Sequence, residues 1–197
     1  MRVYLSFAFL LMCCGSDSVS SQDDARRAYL GLDLSVDRAL NLGFKGFNDA
    51  SSANIPTEVG NGDASGTLTV TGQVDQGASD NKEMRLKTAY AGYQDRQPPG
   101  DGPGAPLGLT YDTDAAALPE LDLSLRNIPN GTFTGSLNGK VNMSGDLKGA
   151  VTLALTFSGA IQPIPSMPGK IQRTPGTTHV TGTASSDYGS YTVDLTR

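Results

Sequence analysis

Ala28–Phe47, AYLGLDLSVDRALNLGFKGF, is the stretch whose reading decides the fold. With a period of two, Leu30, Leu32, Leu34, Val36, Leu40, Leu42 and Phe44 share one face, but Arg38 interrupts it. At helical spacing, Tyr29, Leu32, Val36, Leu40, Gly43 and Phe47 form a stripe flanked by Ala39 and Phe44. Context favours the helix. Asp23 and Asp24 precede the run and suit a first helical turn. Arg26, Ala28, Arg38, Ala39 and the leucines are good helix formers. Gly31, Gly43 and Gly46 oppose it, each at a cost of about 1 kcal/mol relative to alanine. Leucines on the far side of the stripe predict a helix buried on more than one side. A strand is the alternative reading.

Downstream the period changes. Asn48–Ser65, rich in Asn, Ser, Gly and Asp, is expected to be a loop. Leu68, Val70, Gly72 and Val74 then alternate with Thr67, Thr69, Thr71 and Gln73, as in a half-buried strand. Met84, Leu86, Thr88 and Tyr90 continue the pattern after a GASDNK turn, and Leu109 and Tyr111 resume it after the Pro/Gly loop Gln97–Pro106. Leu121, Leu123 and Leu125 form the next strand, closed by Asn130-Gly131, a strong hairpin signal. The most regular run follows: Phe133, Gly135, Leu137, Gly139, Val141, Met143 and Gly145 on one face, with Val151 to Ile161 as its partner. Inner-face glycines permit bending or the close approach of another element; a tight turn at Asn138-Gly139 is the lesser alternative. After QPIPSMPG (Gln162–Gly169), Lys170–Arg173 is a short strand, and His179–Ala184 with Tyr191–Thr196 forms a last hairpin. The expected fold class is therefore mainly β. It is an antiparallel meander of about eight or nine strands, forming a curved sheet or partial barrel packed on one N-terminal α-helix. A closed barrel and a sandwich are the alternatives.

Chemistry is sparse. The net charge is −5, and cations are scattered apart from Arg26-Arg27, which argues against nucleic acid as a partner. His179 is the only histidine, and Gly-x-Ser-x-Gly is absent, so a surface strand residue is expected there rather than a general base. No His/Cys cluster exists for zinc. Asp112 with Asp114, and Asn61 with Asp63, are the pairs a calcium ion would use, but without EF-hand spacing they read as solvated loop residues. The lack of Trp argues against a carbohydrate cleft. No catalytic, cofactor-binding or metal-binding residue is expected, and the chain reads as non-enzymatic.

The first fourteen residues, MRVYLSFAFLLMCC, pair Arg2 with an apolar run, Val3–Met12, too short for the roughly 20 residues that span a bilayer. This is a signal peptide pattern. Leu11-Met12-Cys13-Cys14-Gly15-Ser16 resembles the lipobox of bacterial lipoproteins, departing from it in having Met12 and Cys13 where Ala, Gly or Ser is usual. The resemblance implies lipid attachment at Cys14, and Gly15 after it implies outer-membrane sorting in a Gram-negative cell. The alternative is ordinary cleavage after Ser20, giving a secreted or periplasmic protein. The whole chain resembles small Gram-negative, myxobacterial-type envelope lipoproteins, a grouping that implies no activity. The expected organisation is a signal segment (1–14), a polar tether (15–24) and one β-rich domain (25–197). As coil, the tether reaches roughly 18 Å. Expected partners are the membrane, through the anchor, and a protein or an apolar ligand. The expected roles are a structural or interaction module or, alternatively, a carrier of a lipid-like molecule between curved sheet and helix.

Overall fold

Ala28–Phe47 is helical. The computed structural model describes residues 17–96 and 107–197, with side chains from Gln22 onward. Cys14, the signal segment and the Pro/Gly loop at 97–106 lie outside the described residues. Helix α1 runs from Asp17 to Asp49. The segment expected to be a coil tether is thus helical from Asp17 on. Asp23, expected to start the helix, lies inside it and pairs with Arg26 and Arg27, both at 3.7 Å. Such pairs, three and four residues apart, support a helix.

The three glycines counted against the helix are what let it dock. A Cβ on Gly31 would stand 2.2 Å from the Tyr111 hydroxyl, and one on Gly46 would stand 2.7 Å from Ile55 Cδ1. On Gly43 it would reach Leu86 Cδ1 at 3.0 Å. The propensity cost of about 1 kcal/mol each is offset by contact that larger residues would forbid.

Ten antiparallel strands follow, all in one sheet: β1 (Glu58–Asn61), β2 (Ser65–Val74), β3 (Lys82–Gln94), β4 (Leu109–Asp112), β5 (Glu120–Arg126), β6 (Thr132–Gly145), β7 (Gly149–Pro163), β8 (Ile171–Arg173), β9 (His179–Ser186) and β10 (Gly189–Thr196). They occupy eight lanes, because two lanes are interrupted strands. β4 and β5 lie end to end between β3 and β6, opposite Asn142–Gly145 and Thr132–Asn138 respectively. β8 and β9 lie end to end beside β7. Both interruptions carry a proline, Pro119 and Pro175, which cannot donate to a ladder. The path is otherwise the expected meander, and β6 is continuous through Asn138-Gly139. Gly139 has φ +149°, and a Cβ there would sit 2.5 Å from Pro119 Cα, so the glycine makes room for the break in the neighbouring lane. β1 was not expected. It lies in the predicted loop because its four residues, EVGN, bury a glutamate rather than an apolar side chain.

The outer lanes, β1 and β10, do not pair with each other. Helix α1 lies across the opening and touches β1 and β2 on one side and β8, β9 and β10 on the other. Its inner face, including Ala28, Tyr29, Leu32, Val36, Ala39 and Leu40, is buried against the inward residues of the strands. Aromatic contacts tie both ends: Tyr29 to Tyr191 at 5.5 Å and Phe44 to Phe133, edge to face, at 5.4 Å. No helix among the described residues is long and apolar enough to cross a membrane.

Candidate functional site

His179 is exposed on β9, and its Nε2 lies 2.7 Å from Asp194 Oδ1 on β10. The two calcium candidates do not converge. Asp63 is paired with Arg38 at 3.1 Å, and the Asn61 carbonyl accepts from the same guanidinium. Asp112 accepts the Gly92 amide at 2.7 Å, while Asp114 accepts the Ala116 amide at 2.9 Å. Among the described residues no three His, Cys, Asp or Glu side chains gather in reach of one ion.

Arg38, which broke the strand pattern, anchors the helix to the β1 side. Its Nη2 bridges Asp63 and Asp95, the latter at 3.2 Å, and its guanidinium lies 5.9 Å from the Tyr93 ring centre. Burial opposes its charge, but Tyr93, Asp63 and Asp95 outweigh that and hold its pKa above the ordinary value. Asp95 is buried and also accepts the Tyr93 hydroxyl at 2.6 Å and the Asp63 amide at 3.0 Å. Tyr93 points inward because the register shifts between Ser65 and Thr67 opposite the end of β3, so that Tyr90 and Tyr93 both face the core. Ser35 donates to the Leu32 carbonyl at 2.6 Å, which leaves its oxygen to accept from the Tyr90 hydroxyl at 3.1 Å. The Tyr111 hydroxyl donates to the Ala28 carbonyl at 2.7 Å. Burial pushes Tyr90 up to about 12 and raises Tyr29, Tyr93 and Tyr111 as well. These contacts fasten α1 to the sheet, with the Arg38 Nε as the one buried polar side-chain atom of the cluster that has no partner.

The opposite side of α1 is different. Between the C-terminal half of the helix and the β7–β8 hairpin lies a groove of about 460 Å³. Buried Phe44 and Ile171, half-buried Ile164 and exposed Met167 provide its apolar lining. Lys45, Lys170 and Arg173 also line it. Lys45 bonds Glu58 at 2.7 Å and Asp49 at 2.9 Å, and Lys170 bonds Asp49 at 2.7 Å. Lys170 and then Lys45 hold the Asp49 carboxyl below its ordinary value. Glu58 and then Asp49 raise Lys45. Arg173 reaches Asp37 and Asn41 on the helix, both at 2.7 Å, while its Nε is buried without a partner. Asn48 closes the contact by donating to the Ile171 carbonyl at 2.7 Å and accepting its amide at 2.9 Å, as a neighbouring strand would. The hairpin wall is braced by its own backbone, with Ile164 N to Lys170 O at 2.9 Å and Met167 N to Ile164 O at 3.0 Å.

This groove lies at the rim of the helix–sheet contact. Between the curved sheet and the helix, where the alternative reading sets a lipid-like molecule, the inner face of α1 is packed against strand residues. None of the groove residues was singled out from the sequence. The available signal was Ile164 and Met167, two large apolar residues in a proline-rich loop with no strand to bury them. Comparison of the chain with protein-family models, with curated proteins and with solved structures gives no match.

Proposed function

We propose that the chain is a lipid-anchored protein of the bacterial envelope, attached through Cys14, whose β domain serves as a non-catalytic structural or interaction module. The observation that carries the reading is the run Leu11-Met12-Cys13-Cys14 directly ahead of a helix that starts at Asp17. Two residues, Gly15 and Ser16, separate the candidate acylated cysteine from the first described residue of α1, Asp17. An acylated cysteine with more than one chain holds a protein stably at a bilayer, because each buried CH₂ contributes about 0.8 kcal/mol. Helix α1 then acts as a stiff post in place of a coil tether and holds the sheet close to the surface. The polar clusters around Arg38 and Asp95 are taken up in fastening this post, which supports a scaffold role over a reaction centre.

The test is expression of the full chain in a Gram-negative host, followed by membrane fractionation and mass analysis of the mature N-terminus. The expected result is acylated Cys14 in the membrane fraction, and release of a Cys14→Ser variant from it. A mature chain beginning after Ser20, found in the soluble fraction, would overturn the anchor.

A further inference from the structure

We infer that strand β10 is a self-pairing edge: it docks antiparallel against β10 of a second copy of this chain and joins the two sheets. The inference rests on the interaction role proposed above, for which it names the partner, and not on acylation at Cys14.

The two outer lanes end differently. β1 is short, and its Asn61 carbonyl accepts from Arg38 of the helix. β10 runs from Gly189 to Thr196 in unbroken register with β9. It carries no proline, lysine or bulge, the usual guards of an edge strand. The reciprocal backbone bonds between Thr178 and Arg197 fix the phase of the ladder. Counted in twos from that pair, Leu195, Val193, Tyr191 and Gly189 bond β9, while Ser190, Thr192, Asp194 and Thr196 direct their N–H and C=O groups away from it. Those last four residues are exposed, and among the described residues nothing bonds their backbone groups. Helix α1 leaves this edge clear because it meets the lane from inside. A Cβ on Gly189 would stand 3.7 Å from Ala25 Cβ, Tyr29 packs on Tyr191, and Asp33 bonds Arg197. A cleft of about 430 Å³ separates Gln22 and Arg26 from Ser190 and Thr192.

The residues of the edge select a second copy as the occupant, because the strand is complementary to itself. With a twofold axis at Val193, Ser190 faces the partner's Thr196 and Thr192 faces the partner's Asp194, so all four outward residues pair at once. An axis at Asp194 would set two carboxylates directly opposite each other, which is destabilising. An axis at Thr192 would leave Thr196 facing the partner's Tyr188, outside the strand. Charge and length therefore choose the same register. On the inner face that register sets Val193 beside the partner's Val193 and Tyr191 beside the partner's Leu195. Tyr191 and Leu195 are the inward apolar side chains of β10 that the single chain leaves half-buried, and the pairing covers both.

The experiment is sedimentation equilibrium of the full-length chain in a density-matched nonionic detergent, over a concentration series reaching about 1 mM. A two-chain mass is expected. Thr192→Pro removes an outward N–H that the fold does not use, and it is expected to weaken the dimer at least about tenfold. Lys140→Glu, on the outer face of β6, should change nothing. Near-UV circular dichroism of each variant checks that the fold is kept. NMR of a mixed sample of labelled and unlabelled chains reads the register without any substitution. Tyr191 and Leu195 lie roughly 13 Å apart along one strand, so an Hα–Hα contact between them is intermolecular, and it is expected in the dimer. This contact decides the matter if Thr192→Pro does not fold. A single-chain mass throughout, a dimer that withstands a folded Thr192→Pro, or a dimer without the Tyr191–Leu195 contact would each overturn the proposal. A chain that stays single but takes up an extended peptide of another protein along β10 would give the edge to that partner and overturn it equally. None of these outcomes touches the anchor, which membrane fractionation reads separately.

Discussion

The two sides of α1 meet the sheet in opposite ways. The inner side is closed: Gly31 sits under Tyr111, Gly43 under Leu86, and Tyr29, Leu32 and Leu40 are buried among strand residues. The side toward the β7–β8 hairpin is open, with a groove bounded by exposed Met167 and by lysines paired to one carboxylate. The difference separates two tasks. Docking strength is concentrated where small residues and tyrosines allow contact, so the opposite side is free to keep apolar surface in water without threatening the fold. Stability and any ligand binding are then expected to respond to different substitutions.

The sharpest way to break this contrast is a pair of alanine substitutions, each followed by urea unfolding of the full chain. Leu32→Ala removes a fully buried side chain and is expected to cost about 2–5 kcal/mol. Met167→Ala is expected to stay within about 0.5 kcal/mol. Similar costs for both would mean that the inner side is not the firmer one.

Alkaline pH tests the same closure through the tyrosines. Tyr90 stands at about 12 against a usual 10.0, chiefly because burial penalises the phenolate. A raised folded-state value means that its contribution is fully present below pH 10 and is lost as pH rises through about 12. Two units correspond to at most about 3 kcal/mol. Tyr29, Tyr93 and Tyr111 are raised too and push in the same direction. Stability measured in urea should therefore fall from pH 10 upward, and phenolate absorbance should lag and then rise together with unfolding. Ionisation of these tyrosines near pH 10 in a chain that stays folded would mean that water enters the helix–sheet contact.

Much of the sheet was legible in the sequence because one-faced strands announce themselves. Phe133 to Met143 and Val151 to Ile161 alternate without a fault, and their inward residues are those expected. The helix was legible through its helically spaced stripe, its helix formers and Arg38, which makes no sense on a strand face and good sense beside Asp63 and Asp95. Its glycines were weighed as local cost, since nothing nearby in the chain reveals Tyr111 or Ile55 above them. β1 was invisible because Glu58 is buried by pairing with Lys45, a partner on another element. The serine and aspartate residues ahead of Ala25 read as coil, although Asp23 with Arg26 and Arg27 makes a helical pattern. The groove was out of reach for a simpler reason. It joins residues 41–49 to residues 164–173, and no periodicity connects segments that far apart.

Gly31→Ala probes the closed side on a smaller scale. Alanine improves helix propensity by about 1 kcal/mol, but its Cβ would meet the Tyr111 hydroxyl at 2.2 Å. Overpacking of this kind costs about 1–3 kcal/mol, so a net loss of about 1 kcal/mol is expected. Tyr111→Phe alone gives up the bond to the Ala28 carbonyl, about 1 kcal/mol. The double variant should lose less than the two single losses together, because removing the hydroxyl makes room for the new methyl group. Simple additivity would mean that the helix backs away from Tyr111 and that the closed side yields as easily as the open one.

The smallest effect belongs to the groove's own charges. Lys170 first, then Lys45, lowers the Asp49 carboxyl. A lowered value means a contribution that is present above the ordinary range near 3.8 and lost as pH falls through the folded-state value. Both lysines and Asp49 are largely solvated, so water and salt screen the pairs, and such surface pairs contribute little to stability. Lys170→Ala should move the Asp49 titration, followed by carboxyl NMR, back toward 3.8 while leaving the unfolding midpoint unchanged. Asp49→Asn should likewise spare the midpoint, since Lys45 keeps its pairing with Glu58. A drop in stability in either variant would make the Lys45–Asp49–Lys170 arrangement a structural clasp, and the open side of the helix would then serve the fold in the same way as the closed one.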